Sequence, residues 1–213
     1  LSSFAPETDS DEAQERIQET MGTSSHLLYI NVKPAVEEGS GDFLPNVLEM
    51  RALHQLADDH GRIQAYSEAN GDFVSSQLNA AEILQRALEE RNYSGPLSDF
   101  GDWRQMLEAV TDGEDCADAL GSDERTVATA SFASSAMLHH DLDYGPVCDW
   151  LDTGEGNPTP TASSTMWLIE MSGDISNEER QAHATTIRAM LTSDLNSGDS
   201  VLEYGVISDD LIS

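Results

Sequence analysis

Apolar residues fall along this chain in two rhythms, short dense or alternating runs that suit strands and longer stretches repeating every three to four positions that suit helices. His26-Leu-Leu-Tyr-Ile-Asn-Val32, closed by Pro34, is the first strand run. Its consecutive apolar residues Leu27 to Ile30 predict a central strand buried on both faces. A helix from about Pro45 to His60 follows, carrying Val47, Met50, Leu53, Leu56 and Ala57, with Gly61 as its stop. Arg62 to Ser67, where Ile63 and Ala65 alternate with Gln64 and Tyr66, reads as a second strand. Strand character returns at Ser164-Thr-Met-Trp-Leu-Ile-Glu-Met171. Ser176 and Glu179 then form a capping box for a helix to about Thr192, using Ile187, Met190 and Leu191. Asn196-Ser-Gly198 turns the chain into a last strand, Ser200 to Ile207.

Other segments flank and separate these two strand–helix–strand units. Near the start, Ser10 caps a helix from about Asp11 to Met21 with a narrow stripe of Ala13, Ile17 and Met21, ended by Gly22. A Gly/Ser/Asp loop spans Glu37 to Asp42. The middle is helical: Asn79 and Glu82 cap a helix to Glu90 with Ile83, Leu84, Ala87 and Leu88 inward. Further helices are expected at Phe100 to Val110, Asp115 to Leu120 and Ser122 to Leu138, punctuated by Gly95-Pro96 and Gly113. The Pro/Thr-rich linker Asn157 to Thr161 ends this region. The expected division is 1–68 as a first βαβ half with a leading helix, 69–160 as a helical insertion, and 161–213 as a second βαβ half. Two such halves sharing one sheet make an α+β, ferredoxin-like split βαβ sandwich formed by 1–68 and 161–213.

Charge adds the next constraint. The 213 residues hold 40 acidic and 10 basic side chains, a net charge of −30, and Lys33 is the single lysine. Disorder is one outcome of such imbalance, and a folded protein with an acidic shell screened by concentrated salt is the other. At molar salt the Debye length is about 3 Å, so neighbouring carboxylates largely stop repelling one another. The acids here are scattered through apolar-periodic segments, and Trp, Tyr and Phe anchor a core, which selects the folded, halophilic reading. A surface of this sign excludes nucleic acid as a partner, since phosphates require Lys and Arg.

The candidate chemistry is sparse. Cys116 and Cys148 either form one disulfide in an oxidising compartment or stay as two small, unlinked core residues. His139 and His140 with Asp141 and Asp143 fit no standard metal spacing, and a solvated helix end is the simpler reading. Carboxylate pairs abound because acids abound, so none is singled out. Ser40 lies between Gly39 and Gly41 without the spacing of a nucleophile elbow, and no phosphate-loop or EF-hand fingerprint occurs. Neither catalysis nor a cofactor is therefore expected. Asn92-Tyr93-Ser94 is an N-glycosylation sequon near a helix end. Met50, Met106, Met137, Met166, Met171 and Met190 suit core packing better than an adaptable cavity, and so do Trp103, Trp150 and Trp167.

Three segments carry a family resemblance. Ser3-Phe4-Ala5-Pro6-Glu7, with the acidic helix and apolar strand that follow it, is similar to the segment after the first membrane helix of RND superfamily exporters of the MMPL/Patched-like, hydrophobe-exporting branch. Asn46-Val-Leu-Glu-Met50, leading into Arg51-Ala-Leu-His-Gln-Leu56, resembles their next helix. Leu202-Glu-Tyr-Gly-Val-Ile-Ser-Asp-Asp210 resembles the stretch before their second membrane helix. The likeness covers roughly 1–68 and 160–213. It implies the first extracytoplasmic loop, a porter domain, of an exporter from a halophilic archaeon, at the cell membrane. Such a domain passes hydrophobic or amphiphilic, lipid-like substrates by conformational cycling. Its partners would be the membrane-embedded remainder of the same chain, the substrate and, in an oligomer, further copies of itself. The ion-coupling carboxylates of that family belong to its membrane helices and map to no residue here. A start at Leu1 without Met or signal peptide fits an excised segment. The alternative expectation is an extracellular ligand- or partner-binding ectodomain with no transport role.

Overall fold

The computed structural model describes residues 26–35, 46–116, 139–197 and 200–207. The expected helix at 11–21, the loop at 37–42 and the expected helices at 115–120 and 122–138, apart from Asp115 and Cys116, lie outside them. The described chain is α+β. Its strands are β1 (His26–Pro34), β2 (Val74–Leu78), the two-residue β3 (His139–His140), β4 (Ser164–Met171) and β5 (Leu202–Ile207). The helices are α1 (Met50–Ala69), α2 (Ala80–Glu90), α3 (Trp103–Val110), α4 (Gly145–Thr153) and α5 (Asn177–Ser197), with a 3-10 turn at Leu97–Asp99.

The four longer strands lie in the order β2-β4-β1-β5, every neighbouring pair antiparallel, and β3 adds to β4. β1 and β2 therefore run in the same direction with β4 between them, and β4 and β5 run together with β1 between. Helices α1 and α5 make the two crossovers. Each strand–helix–strand unit leaves a gap that a strand of the other fills, so neither sheet half is complete alone.

The pleat decides what is buried. In β1 Leu28, Ile30, Val32 and Pro34 face the helices, and in β4 Thr165, Trp167, Ile169 and Met171 do the same. The opposite face of β1 is open: Leu27 and Tyr29 are 42% and 40% exposed. This corrects the expectation of burial on both faces, because the helices stand on one side of the sheet. Met50, Leu53, Leu56 and Ile63 of α1 and Ala184, Ile187 and Leu191 of α5 close the core over Trp167 and Ile169.

The second strand is also displaced from its expected place. Arg62–Ser67 is helical, and α1 passes through Gly61 to Ala69. Leu56, Asp59, Ile63 and Ser67 stay buried at helical spacing, and a glycine inside a helix costs only about 1 kcal/mol. The break falls at Asn70-Gly71-Asp72, where Gly71 and Asp72 take φ of 97° and 55°. There Asp72 N–H donates to the Ser67 carbonyl and Val74 N–H to Ser67 Oγ at 2.8 Å, turning the chain into β2. The first strand–helix–strand unit therefore ends at Leu78, past residue 68.

Other boundaries shift less. Asn79 caps α2 through the Glu82 amide at 2.9 Å. Ser176 and Glu179 make their reciprocal box, with Glu179 N–H donating to Ser176 Oγ and Ser176 N–H to Glu179 Oε2, and α5 runs on to Ser197. His139 and His140, expected at a helix end, form β3 opposite Thr165 and Ser164. The unanticipated α4 has proline in its first turn and left-handed Gly154 at its end, signals that the sequence does carry.

Candidate functional site

The open face of the sheet carries two of the exposed large hydrophobic side chains among the described residues, Leu27 and Tyr29. Register sets it: Leu78 of β2 pairs with Leu168 of β4, and Leu168 pairs with Tyr29 of β1. That places an apolar row across three strands, on the side away from α1 and α5. Leu27 lies beside Tyr29 on the same face, and Met166, opposite Asn31, extends the row. Leu78, Met166 and Leu168 are half-buried. The rim is polar. Glu170 stands opposite Leu27 and accepts from Ser76 Oγ at 2.9 Å, while Lys33 stands opposite Glu203 of β5. A stripe of Leu, Tyr and Met with carboxylates only at its margin suits apolar or amphiphilic contact.

A second feature is an open cleft of about 590 Å³ between the start of α1, the start of α3 and the 157–161 linker. Asn46 builds it. Its Nδ2 donates to the Pro160 carbonyl at 2.9 Å, and its Oδ1 accepts from Leu48 and Ala162 amides at 3.0 and 3.1 Å. Trp103 Nε1 donates to the Leu48 carbonyl at 2.7 Å, which pins α3 to the same loop. Glu49, Arg51, Asp102, Asn157 and Thr159 line the mouth, with Glu49 and Arg51 paired at 3.0 Å.

The buried titratable groups serve the scaffold. Asp59, 3% exposed, accepts from Tyr204 Oη at 2.5 Å and from Arg62 at 2.7 Å. Burial first, then the adjacent Asp59 charge, pushes the Tyr204 hydroxyl well above the usual phenol range. His60 lies with its ring 6.3 Å from that of Trp167 and its Nδ1 3.3 Å from Asn79 Nδ2. Burial holds its pKa below the ordinary imidazole value; Glu82 pulls it up and Arg86 down, both less strongly.

The residues singled out from sequence are dispersed. Cys116 and Cys148 are joined as a disulfide that ties the end of the 111–116 segment to α4. Asn92 is exposed at the end of α2 with φ of 64°. His139 is buried in the sheet, and Asp143 bridges to Thr161 and caps the turn at Gly145. Among the described residues no group of three or more His, Cys, Asp or Glu is gathered for a metal ion. Met50, Met106 and Met171 are core residues, Met190 is half-buried on α5, and Met137 lies outside the described residues. Trp103 and Trp167 are buried and Trp150 is half-buried. The unbroken apolar run Leu27 to Ile30 gives no sign in the sequence that the Leu27 and Tyr29 side is the exposed one. Among the described residues no helix is long and apolar enough to cross a membrane. No protein-family model, curated protein or solved structure matches the chain.

Proposed function

We propose that this chain is the extracytoplasmic porter-type domain of an RND-superfamily exporter, in which a ferredoxin-like split βαβ sandwich handles hydrophobic or amphiphilic substrates. The supporting observation is the interleaved strand order β2-β4-β1-β5, with both crossover helices on one face and the partly exposed Leu78–Leu168–Tyr29 row on the other. A domain built this way offers one rigid apolar face, while its helix layer carries the structural hydrogen-bond network. Chemistry on bound substrate is not part of this reading. The domain works by moving with the rest of its chain, exposing and covering the apolar face as the membrane part cycles. The acidic surface adapts it to concentrated salt, and the Cys116–Cys148 bond suits an oxidising, extracytoplasmic space.

The coding sequence on either side of Leu1 and Ser213 tests the proposal. Apolar spans of ~20 residues abutting both ends are expected, with a second copy of the domain further along. Polar sequence on both sides would overturn the exporter and leave an extracellular ligand- or partner-binding ectodomain.

A further inference from the structure

We infer that Asn92 carries an N-linked glycan, placed on the helix layer so that the open sheet face stays bare; this rests on the extracytoplasmic reading. Asn92-Tyr93-Ser94 is the one Asn-x-Ser/Thr triplet in the chain whose middle residue is not proline, since Asn157-Pro158-Thr159 has the spacing but the excluded residue. The structure divides the triplet by direction. Tyr93 is held: its amide donates to the Leu88 carbonyl at 3.0 Å, its hydroxyl to Asp99 at 2.8 Å, and its ring lies 4.8 Å from that of Phe100. Asn92 and Ser94, on either side, are exposed, and neither side chain makes a hydrogen bond among the described residues.

The other asparagines whose side chains are described contrast with this, apart from half-buried Asn31. Asn46 and Asn79 are buried and bonded, the Asn70 carboxamide donates to the Tyr66 carbonyl, the Asn157 carboxamide accepts from Thr159, and the Asn177 carboxamide accepts from Arg180. Asn92 alone in a sequon presents a free, outward carboxamide. Its left-handed φ of 64° ends α2 and aims the following residues away from the helix axis. Asparagine tolerates that conformation better than most residues, so the turn and the acceptor chemistry ask for the same side chain.

The modification balances as a group transfer. Asn92 Nδ2 forms a bond to the anomeric carbon of a sugar carried on a lipid-linked phosphate or pyrophosphate. The anomeric carbon–oxygen bond breaks, the phosphate leaves with the electron pair, and one carboxamide proton passes to the transferase base. Nothing is oxidised or reduced. Leu84 and Leu88 hold α2 in the core on the helix side of the sheet. A glycan at its end therefore adds neutral, hydrated bulk to the helix layer and none over Tyr29 and Leu168.

The test uses the full-length protein isolated from the cells that make it. Trypsin releases the peptide from Asn92 to Arg104, whose mass should exceed the bare peptide by whole sugar residues. Ser94→Ala should abolish the increment and Ser94→Thr should keep it; both leave the left-handed position untouched. A bare peptide from protein that external protease cuts on intact cells overturns the glycan and spares the extracytoplasmic reading. A bare peptide from protein shielded from external protease overturns both.

Discussion

Tyr204 of the last strand donates its hydroxyl to Asp59, midway along α1, across 2.5 Å. The same carboxylate accepts from Arg62, and Gln55, one turn earlier, binds Ser200 Oγ at 2.6 Å and the Val201 amide at 2.8 Å. Together these contacts fix the entry of β5 against α1. Tyr204→Phe should cost about 1–3 kcal/mol, the range for a buried polar group that loses a hydrogen-bond partner, and Asp59→Ala should cost more because it removes the acceptor shared by Tyr204 and Arg62. Urea denaturation in concentrated salt measures both. The sign of the pH dependence follows from the raised Tyr204 pKa. The folded state favours the neutral phenol, so this stabilisation is complete below the unfolded pKa of about 10 and declines as pH rises above it. Tyr204→Phe should flatten that alkaline limb, leaving the smaller share of Tyr93, whose hydroxyl is raised by its bond to Asp99.

His60 should set part of the acid limb. Its pKa is depressed in the fold, chiefly by burial, so the unfolded chain binds the proton more tightly. Its contribution is present above the unfolded value of about 6.5 and is lost as pH falls through the folded one. An NMR titration of its ring resonances should give a midpoint below 6.5. A midpoint at or above that value would contradict the packing of His60 between Asn79 and Trp167.

Much of this scaffold can be read from residues whose physics is local. The Ser164–Met171 strand is legible as a short run of apolar and β-prone residues, Met166 to Ile169 within it, whose alternate burial appears only in the sheet, and the Asn79 and Ser176 caps name their helix starts chemically. The failures come from choices that only tertiary packing makes. Gly61 looks like a stop, yet α1 continues because Ile63 and Ser67 still meet the core. Leu27 and Tyr29 look central, yet their face is open because both crossover helices chose the other side. That same misreading hid the open-face row, since an apolar run in a strand says nothing about which face is covered. Proline at the start of α4 and Gly154 at its end were legible but lay in a region without clear periodicity.

The disulfide should matter for stability in proportion to the loop it closes. Cys116 and Cys148 are 32 residues apart, and the chain-entropy treatment assigns about 3–4 kcal/mol to a loop of that length. Thermal unfolding with and without reductant should show a lower Tm on reduction, and the Cys116→Ser, Cys148→Ser double variant should match the reduced protein. Equal melting temperatures would mean that the segment from 111 to 116 is held by other contacts, the Arg91–Glu114 pair first among them.

The open face gives the functional prediction. Leu168→Asp puts a charge at the middle of the Leu78–Leu168–Tyr29 row without entering the core, since Leu168 points away from the helices. Stability in concentrated salt should fall by about 1–2 kcal/mol, since Leu168 is half-buried and aspartate is a poor strand former, which leaves the fold in place. Efflux of a hydrophobic dye by cells carrying the full-length protein should fall severalfold at unchanged protein level. Unaltered efflux would separate this face from substrate handling.

Salt should govern whether the chain folds at all. Ten basic side chains cannot neutralise forty acids, and one of the ion pairs that do form, Arg62–Asp59, is already committed to the buried network. The remaining carboxylates repel across a surface on which the unscreened range is about 30 Å at 0.01 M salt and about 3 Å at 1 M. Circular dichroism along a sodium chloride titration should therefore show helix and strand signal rising towards molar salt. Sodium and potassium should be nearly equivalent, because screening depends on ionic strength and no described acidic cluster is built to select an ion. Full structure at low ionic strength would mean that the core alone outweighs the repulsion, and the acidic surface would then need a different cause.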